Sequence, residues 1–189
     1  MKRYEILDEI LAHVWSYVEE AVHGRENAMT TPVFATDGPG ARTVALRAFD
    51  SSQRSLSFHT DVRSEKVKQI GDNPRARWVA WDADLSQQFQ FCGSTTVHTA
   101  DAFADEMWAS QPEENLGFYY KSLRPGEPID SPVSCIDRDV VSEEEARENF
   151  AAVRTVVDEI TWLHLHPEIE YRARFAWDGE AFRGEWIVP

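Results

Sequence analysis

The chain has 189 residues, 42% hydrophobic and 12% aromatic, which is enough for a sizeable core and too apolar for disorder. Thirty-three acids against nineteen Lys and Arg give a net charge of -14, which argues against a nucleic-acid partner because phosphate neutralisation dominates such binding. The longest apolar runs are far short of a bilayer span, and MKRYEILDEILAHVW carries acids within its apolar pattern, unlike a secretory signal, so a cytoplasmic protein with no membrane partner is expected.

From the N-terminus, Ile6, Ile10, Val14, Trp15, Val18 and Val22 recur at helical spacing, predicting an amphipathic helix within residues 1–24 that ends near Gly24. The period then changes to two. TTPVFATD and ARTVALRAFD read as strands joined by a GPG turn, SSQRS as the next turn, and Leu56–Thr60 as a third strand. Ser64 is placed to cap a short helix to about Ile70, which Asn73–Pro74 stops. RARWVAW and QQFQFCGSTTVHT follow as strands four and five, and Thr99 is expected to cap a helix from Ala100 to about Ser110. Pro112–Tyr120 reads as a further helical turn, residues 121–141 as a long loop of the kind that forms lids or interfaces, and SEEE at 142–145 as a capping box. From Phe150 to the end the pattern is strands, with AWDGEAF an Asp-Gly hairpin. This order predicts a single domain over 1–189, mainly β with peripheral helices, most economically an antiparallel barrel.

The charge is uneven. Residues 37–80 hold eight bases and five acids, while 101–148 hold four bases and thirteen acids. Arg63, Lys66, Lys68, Arg75 and Arg77 crowd into FHTDVRSEKVKQIGDNPRARW, where a strand gives way to a helix. Helix N-termini favour anions, so Arg63, Ser64 and Lys66 form a candidate phosphate cradle, to be weighed against ordinary N-cap chemistry. Arg42 and Arg47, five apart in one predicted strand, face opposite ways unless a bulge intervenes, and two exposed arginines are the plainer reading. His164 and His166 share a strand face without a third ligand, so no metal is expected. Cys92 and Cys135 lack CxxC spacing and read as reduced thiols. No GxSxG, HExxH or P-loop appears, and any redox chemistry has to come from a cofactor.

ARTVALRAFD, SFHTDVRSEKVKQIGDNPRARWVAW and QQFQFCG, in that order, together with YRARFAWDGEAFRGEWIVP, resemble the pyridoxamine 5'-phosphate oxidase family of FMN-binding split β-barrels. The resemblance implies FMN as cofactor, with Arg42, Arg47, His59, Thr60, Ser64, Lys66, Gln88 and Arg174 at the flavin. Glu65 stands where the family has an arginine beside the phosphate, and Arg63 is the candidate replacement. The family's substrate-phosphate positions fall on Met107, Gln111 and Asn115, near Glu113 and Glu114, so pyridoxine and pyridoxamine 5'-phosphates are not expected as substrates. An FMN-dependent oxidoreductase acting on a small molecule, as a homodimer whose flavin sites draw on both chains, is the reading the resemblance implies. A flavin carrier or sensor without turnover and a haem-binding split barrel, the latter prompted by His164 and His166, are the alternatives.

Overall fold

The computed structural model describes residues 3–37, 40–132 and 137–189; the expected GPG turn and Cys135 fall partly or wholly outside them. The elements run α1 (Leu7–Val22), β1 (Val33–Thr36), β2 (Ala41–Thr43), β3 (Ala48–Asp50), β4 (Ser55–Asp61), α2 (Glu65–Asp72), β5 (Arg75–Asp82) and β6 (Gln87–His98). After them come α3 (Ala102–Ala109), α4 (Glu113–Leu116), a 3-10 turn (Gly117–Tyr119), α5 (Glu143–Asn149), β7 (Phe150–Leu165), β8 (Glu170–Trp177) and β9 (Phe182–Trp186).

The strands form one antiparallel sheet in the order β2-β1-β5-β6-β7-β4-β3, with β8 and β9 added beside β7. The expected single strand over 41–50 is two. β2 pairs β1 at one edge of this path and β3 pairs β4 at the other, so the sheet is split where the chain itself crosses from edge to edge. Along the crossing, Val44 and Leu46 donate to the carbonyls of Pro32 and Thr30, and Arg47 donates to that of Ser57. Inward residues alternate as a half-buried sheet requires: Trp78, Phe89, Phe91, Ile160 and Trp162 fill the interior. Helix α1 packs on it, with Tyr17 stacked 4.3 Å from Phe89 and Trp15 stacked 5.4 Å from Phe49.

β7 is the hub, pairing β6, β4 and β8. Phe150, Ala151, Ala152 and Val153 are all buried because a second apolar cluster, with Trp108, Tyr119 and Ala146 from the segment between β6 and β7, covers the outer face there. The Ser142–Glu145 capping box is present, and Asp178 accepts from the amides of Glu180 and Ala181 in the final hairpin. Helix α3 is capped by Asp101, which accepts from Ala104, rather than by Thr99. Among the described residues no helix is long and apolar enough to cross a membrane.

Candidate functional site

The end of β4 and the start of α2 bring Thr60, Ser64 and Lys66 together. Lys66 Nζ donates to Thr60 Oγ1 at 2.9 Å, and Ser64 Oγ lies 3.4 Å from the same oxygen. Ser64 occupies the N-cap position, as expected, but its side chain makes no capping hydrogen bond, which leaves the helix start open to an external acceptor. Arg42 reaches the same region from β2. Its guanidinium donates to Thr36 Oγ1, the Gly40 carbonyl and Gln69 Oε1 at 3.1, 3.2 and 2.9 Å. A Cβ on Gly40 would stand 2.6–2.7 Å from Gln69 Oε1, Thr36 Oγ1 and Arg42 Nη2, so a side chain there would displace the polar ends of this cluster. Burial, followed by the charge of Arg42, holds the Lys66 ammonium below its ordinary range.

Ten ion pairs occur among the described residues, and none includes Arg42, Arg47 or Lys66. In a chain with fourteen excess negative charges, Arg42 and Lys66 beside the helix start and Arg47 in the adjoining cavity, none of them in an ion pair among the described residues, are poised for an external anion. Glu65 is exposed. Arg63, the expected substitute for the cation missing at Glu65, turns to Asp61 instead: Nε and Nη2 donate to its carboxylate at 3.0 and 2.7 Å, and Nη2 also to the carbonyl of Lys121 at 3.1 Å. Its charge is already matched, and it ties the end of β4 to the 121–132 segment.

Beside the cradle lies a cavity of about 240 Å³ whose lining includes Arg47, His59, Thr60, Gln111, Asn115 and Tyr119. Both ring nitrogens of His59 and Nε2 of Gln111 are buried without a hydrogen-bond partner among the described residues. Burial pulls His59 down to about 4, opposed by the adjacent Gln111 side chain and helped, to the smallest extent, by Arg47. Burial also pushes the Tyr119 phenol up, so both groups are neutral near pH 7. Met107 packs in the second cluster, and Glu113 and Glu114 are exposed, Glu113 lying 3.6 Å from Arg138. The negative charge expected at this pocket from those two glutamates is therefore directed elsewhere.

Gln88 and Arg174 are not brought to the cradle. Gln88 pairs with Leu163 and Thr60 with Ala151, twelve residues apart along β7, or roughly 40 Å of extended strand at about 3.3 Å per residue. Arg174 is exposed and donates to Glu185 at 3.0 Å. His164 is enclosed by Tyr4, Trp162 and Tyr171, its ring stacked on Tyr171, and no group of three or more potential metal ligands occurs among the described residues. Sequence reading missed Thr36, Gln69 and Tyr119. Gln69 was within reach, since it follows Lys66 by three residues on one helix face.

His59 gives a pH prediction. Its folded-state value lies below the ordinary 6.5, so the unfolded chain binds the proton more tightly. The associated stability is fully present above about 6.5 and falls as pH drops toward about 4, by up to about 3 kcal/mol. Denaturant titrations from pH 7 to 4 should show this slope, and His59→Phe should flatten it; an unchanged slope in the variant would remove the buried neutral imidazole from the account.

Residues 8–99 match the family model described as pyridoxamine 5'-phosphate oxidase, FMN-binding domain. The pyridoxine/pyridoxamine 5'-phosphate oxidase of Nostoc punctiforme is 41% identical over 68 residues, covering 35% of this chain and 31% of that protein. The Rubrobacter xylanophilus protein of the same name is 32% identical over 120 residues, 61% of this chain and 53% of that one. The matches thus span from about a third to about half of the length of these curated relatives. Among solved structures, a pyridoxamine 5'-phosphate oxidase-related, FMN binding protein from Nostoc punctiforme superposes with a TM-score of 0.70 at 22% identity, covering 100% of both chains. PhzG from Burkholderia lata, solved with tetrahydrophenazine-1-carboxylic acid, gives 0.70 at 16% identity over 95% of this chain and 92% of that one. At these identities the superpositions establish the fold.

Proposed function

We propose that this chain, a split β-barrel related to the pyridoxamine 5'-phosphate oxidase FMN-binding family, binds FMN and acts as an FMN-dependent oxidoreductase on a small molecule. The observation that carries the reading is that Arg42 and Lys66, neither in an ion pair among the described residues, meet beside an uncapped helix start, with Arg47 lining the adjoining cavity. The cofactor phosphate is assigned to Arg42, Lys66, the Ser64 hydroxyl and the first amides of α2, which together supply charge-assisted donors for one anion. FMN, when bound, supplies an isoalloxazine that accepts or returns a hydride. His59 and Thr60 then border the adjoining cavity, Arg47 sets a positive charge there, and Tyr119 with the 121–132 segment shields it from water.

Gln88 and Arg174 sit too far along the barrel to touch a flavin whose phosphate is at Lys66 of the same chain. Their assignment to the flavin requires a second copy, and exposed Trp81 and Leu85 flank Gln88 on the outer face as apolar surface for that copy. A homodimer with two shared sites is therefore part of the proposal.

The purified protein should be yellow or take up FMN, and riboflavin should bind at least about tenfold more weakly, since it forgoes charged hydrogen bonds of roughly 1.5–3 kcal/mol each. Fluorescence quenching titrations measure both. Equal affinities would sink the phosphate assignment, and light scattering that shows a monomer with full FMN stoichiometry would sink the shared site. Anaerobic reduction of the bound flavin by NADH or NADPH, followed by reoxidation with small-molecule acceptors, separates an enzyme from a carrier.

A further inference from the structure

The cavity holds more donors and positive charge than its own acceptors can use. Among the described residues Arg47 forms no ion pair, and it lies close enough to lower the values of both His59 and Tyr119. Lys121 also lines the cavity without an ion pair, its ammonium 5.9 Å from the Phe118 ring. Gln111 Nε2 is buried with no acceptor. Among the described lining residues the one carboxylate, Asp61, is engaged by Arg63, which donates to it from the backbone amide, Nε and Nη2. What is missing is an anionic acceptor supplied by a ligand.

Which anion fits follows from the donor types. A guanidinium and a carboxamide N–H present planar, directional donors that suit the two oxygens of a carboxylate. A phosphate ester brings about -1.5 to -2 charge and asks for more cations than one guanidinium and one ammonium on an exposed segment, with Asp61 beside them. The volume, about 240 Å³, is below the roughly 300–1,000 Å³ of drug-sized sites and limits the ligand to a small acid, with Ala45, Phe118 and Pro125 as apolar wall.

We infer that this cavity is a carboxylate-selective pocket, taking a small monoanionic acid through the Arg47 guanidinium and the Gln111 carboxamide. That the acid is the redox substrate rests on the FMN reading; the binding itself does not. Isothermal titration of both apo and FMN-loaded protein with benzoate, benzamide and phenyl phosphate tests it. Benzoate should bind about tenfold or more tighter than either of the others. Gln111→Leu should weaken benzoate by about tenfold, and Gln111→Arg, which adds a cation, should shift the phenyl phosphate to benzoate ratio toward the phosphate by about tenfold. Benzamide or phenyl phosphate binding as well as benzoate to the wild type overturns the inference, as does an unmoved ratio in a folded Gln111→Arg protein. A protein that binds benzoate selectively but never FMN would refute the cofactor reading and leave this one standing.

Discussion

Lys66→Met should lower FMN affinity by roughly ten- to a hundredfold while raising the melting temperature of the apoprotein. The two effects have one cause. The ammonium is drawn out of water beside the Arg42 guanidinium, with the Thr60 hydroxyl as a neutral acceptor at 2.9 Å, so in the apoprotein two neighbouring cations repel one another, which the more weakly felt charge of Asp61 offsets only in part. A bound phosphate relieves that repulsion and gains a charged hydrogen bond of about 1.5–3 kcal/mol, which methionine forgoes. Methionine keeps the apolar stem and removes the buried charge, so the unliganded fold gains stability. Melting curves with and without FMN read both quantities. A variant that loses apoprotein stability and retains FMN would show that Lys66 serves the fold rather than the cofactor.

Gly93→Ala should be among the most damaging single substitutions in the chain, costing about 3 kcal/mol or more and roughly 6–12 °C in melting temperature. At this point the β6–β7 ladder slips: Cys92 faces Glu159 and Gly93 faces Val157, leaving Asp158 as the extra residue of a bulge. The bulge presses the β7 backbone onto Gly93, where a Cβ would stand 2.1 Å from the Val156 carbonyl oxygen and 2.9 Å from the Val157 Cα. Both are backbone atoms at the hub of the sheet and have no rotamer through which to yield. Gly71→Ala in α2 is the control, since nothing lies within 4 Å of its added carbon and alanine is the better helix former. Equal melting temperatures for the two variants would mean the bulge relaxes more freely than its geometry indicates.

Strands β5 and β6 were legible because inward and outward residues alternate along them, and the capping box and the Asp-Gly hairpin because their chemistry is local. The break within ARTVALRAFD was not. Val44 and Leu46 keep the apolar alternation while their hydrogen-bond partners change, and side-chain period carries no record of which strand a backbone amide meets. Thr99 and Asp101 are both plausible caps by residue type, and only the path of the chain after β6 selects the second. At the site, the resemblance located Arg42, Thr60, Ser64 and Lys66, which the fold brings together. It could not show that Arg63 is taken by Asp61 two residues earlier, which depends on the side-chain rotamers in the turn after β4, or that Gln88 and Arg174 lie far along β7 from Thr60, which depends on strand register.

The pairing of β4 with β7 has a consequence for biogenesis. Ser55 meets Val156 and Asp61 meets Phe150, so each β4 residue awaits a partner made 89 to 101 residues later. At translation rates of about 5–20 residues per second, the edge of β4 stays unsatisfied for roughly 5–20 s, with Leu56 and Phe58 lacking the interior they will fill. The β3 hairpin guards only the opposite edge. Growth at low temperature or with added chaperone should therefore raise the yield of folded protein, because the nascent chain reaches its central strand only after most of the barrel has been synthesised.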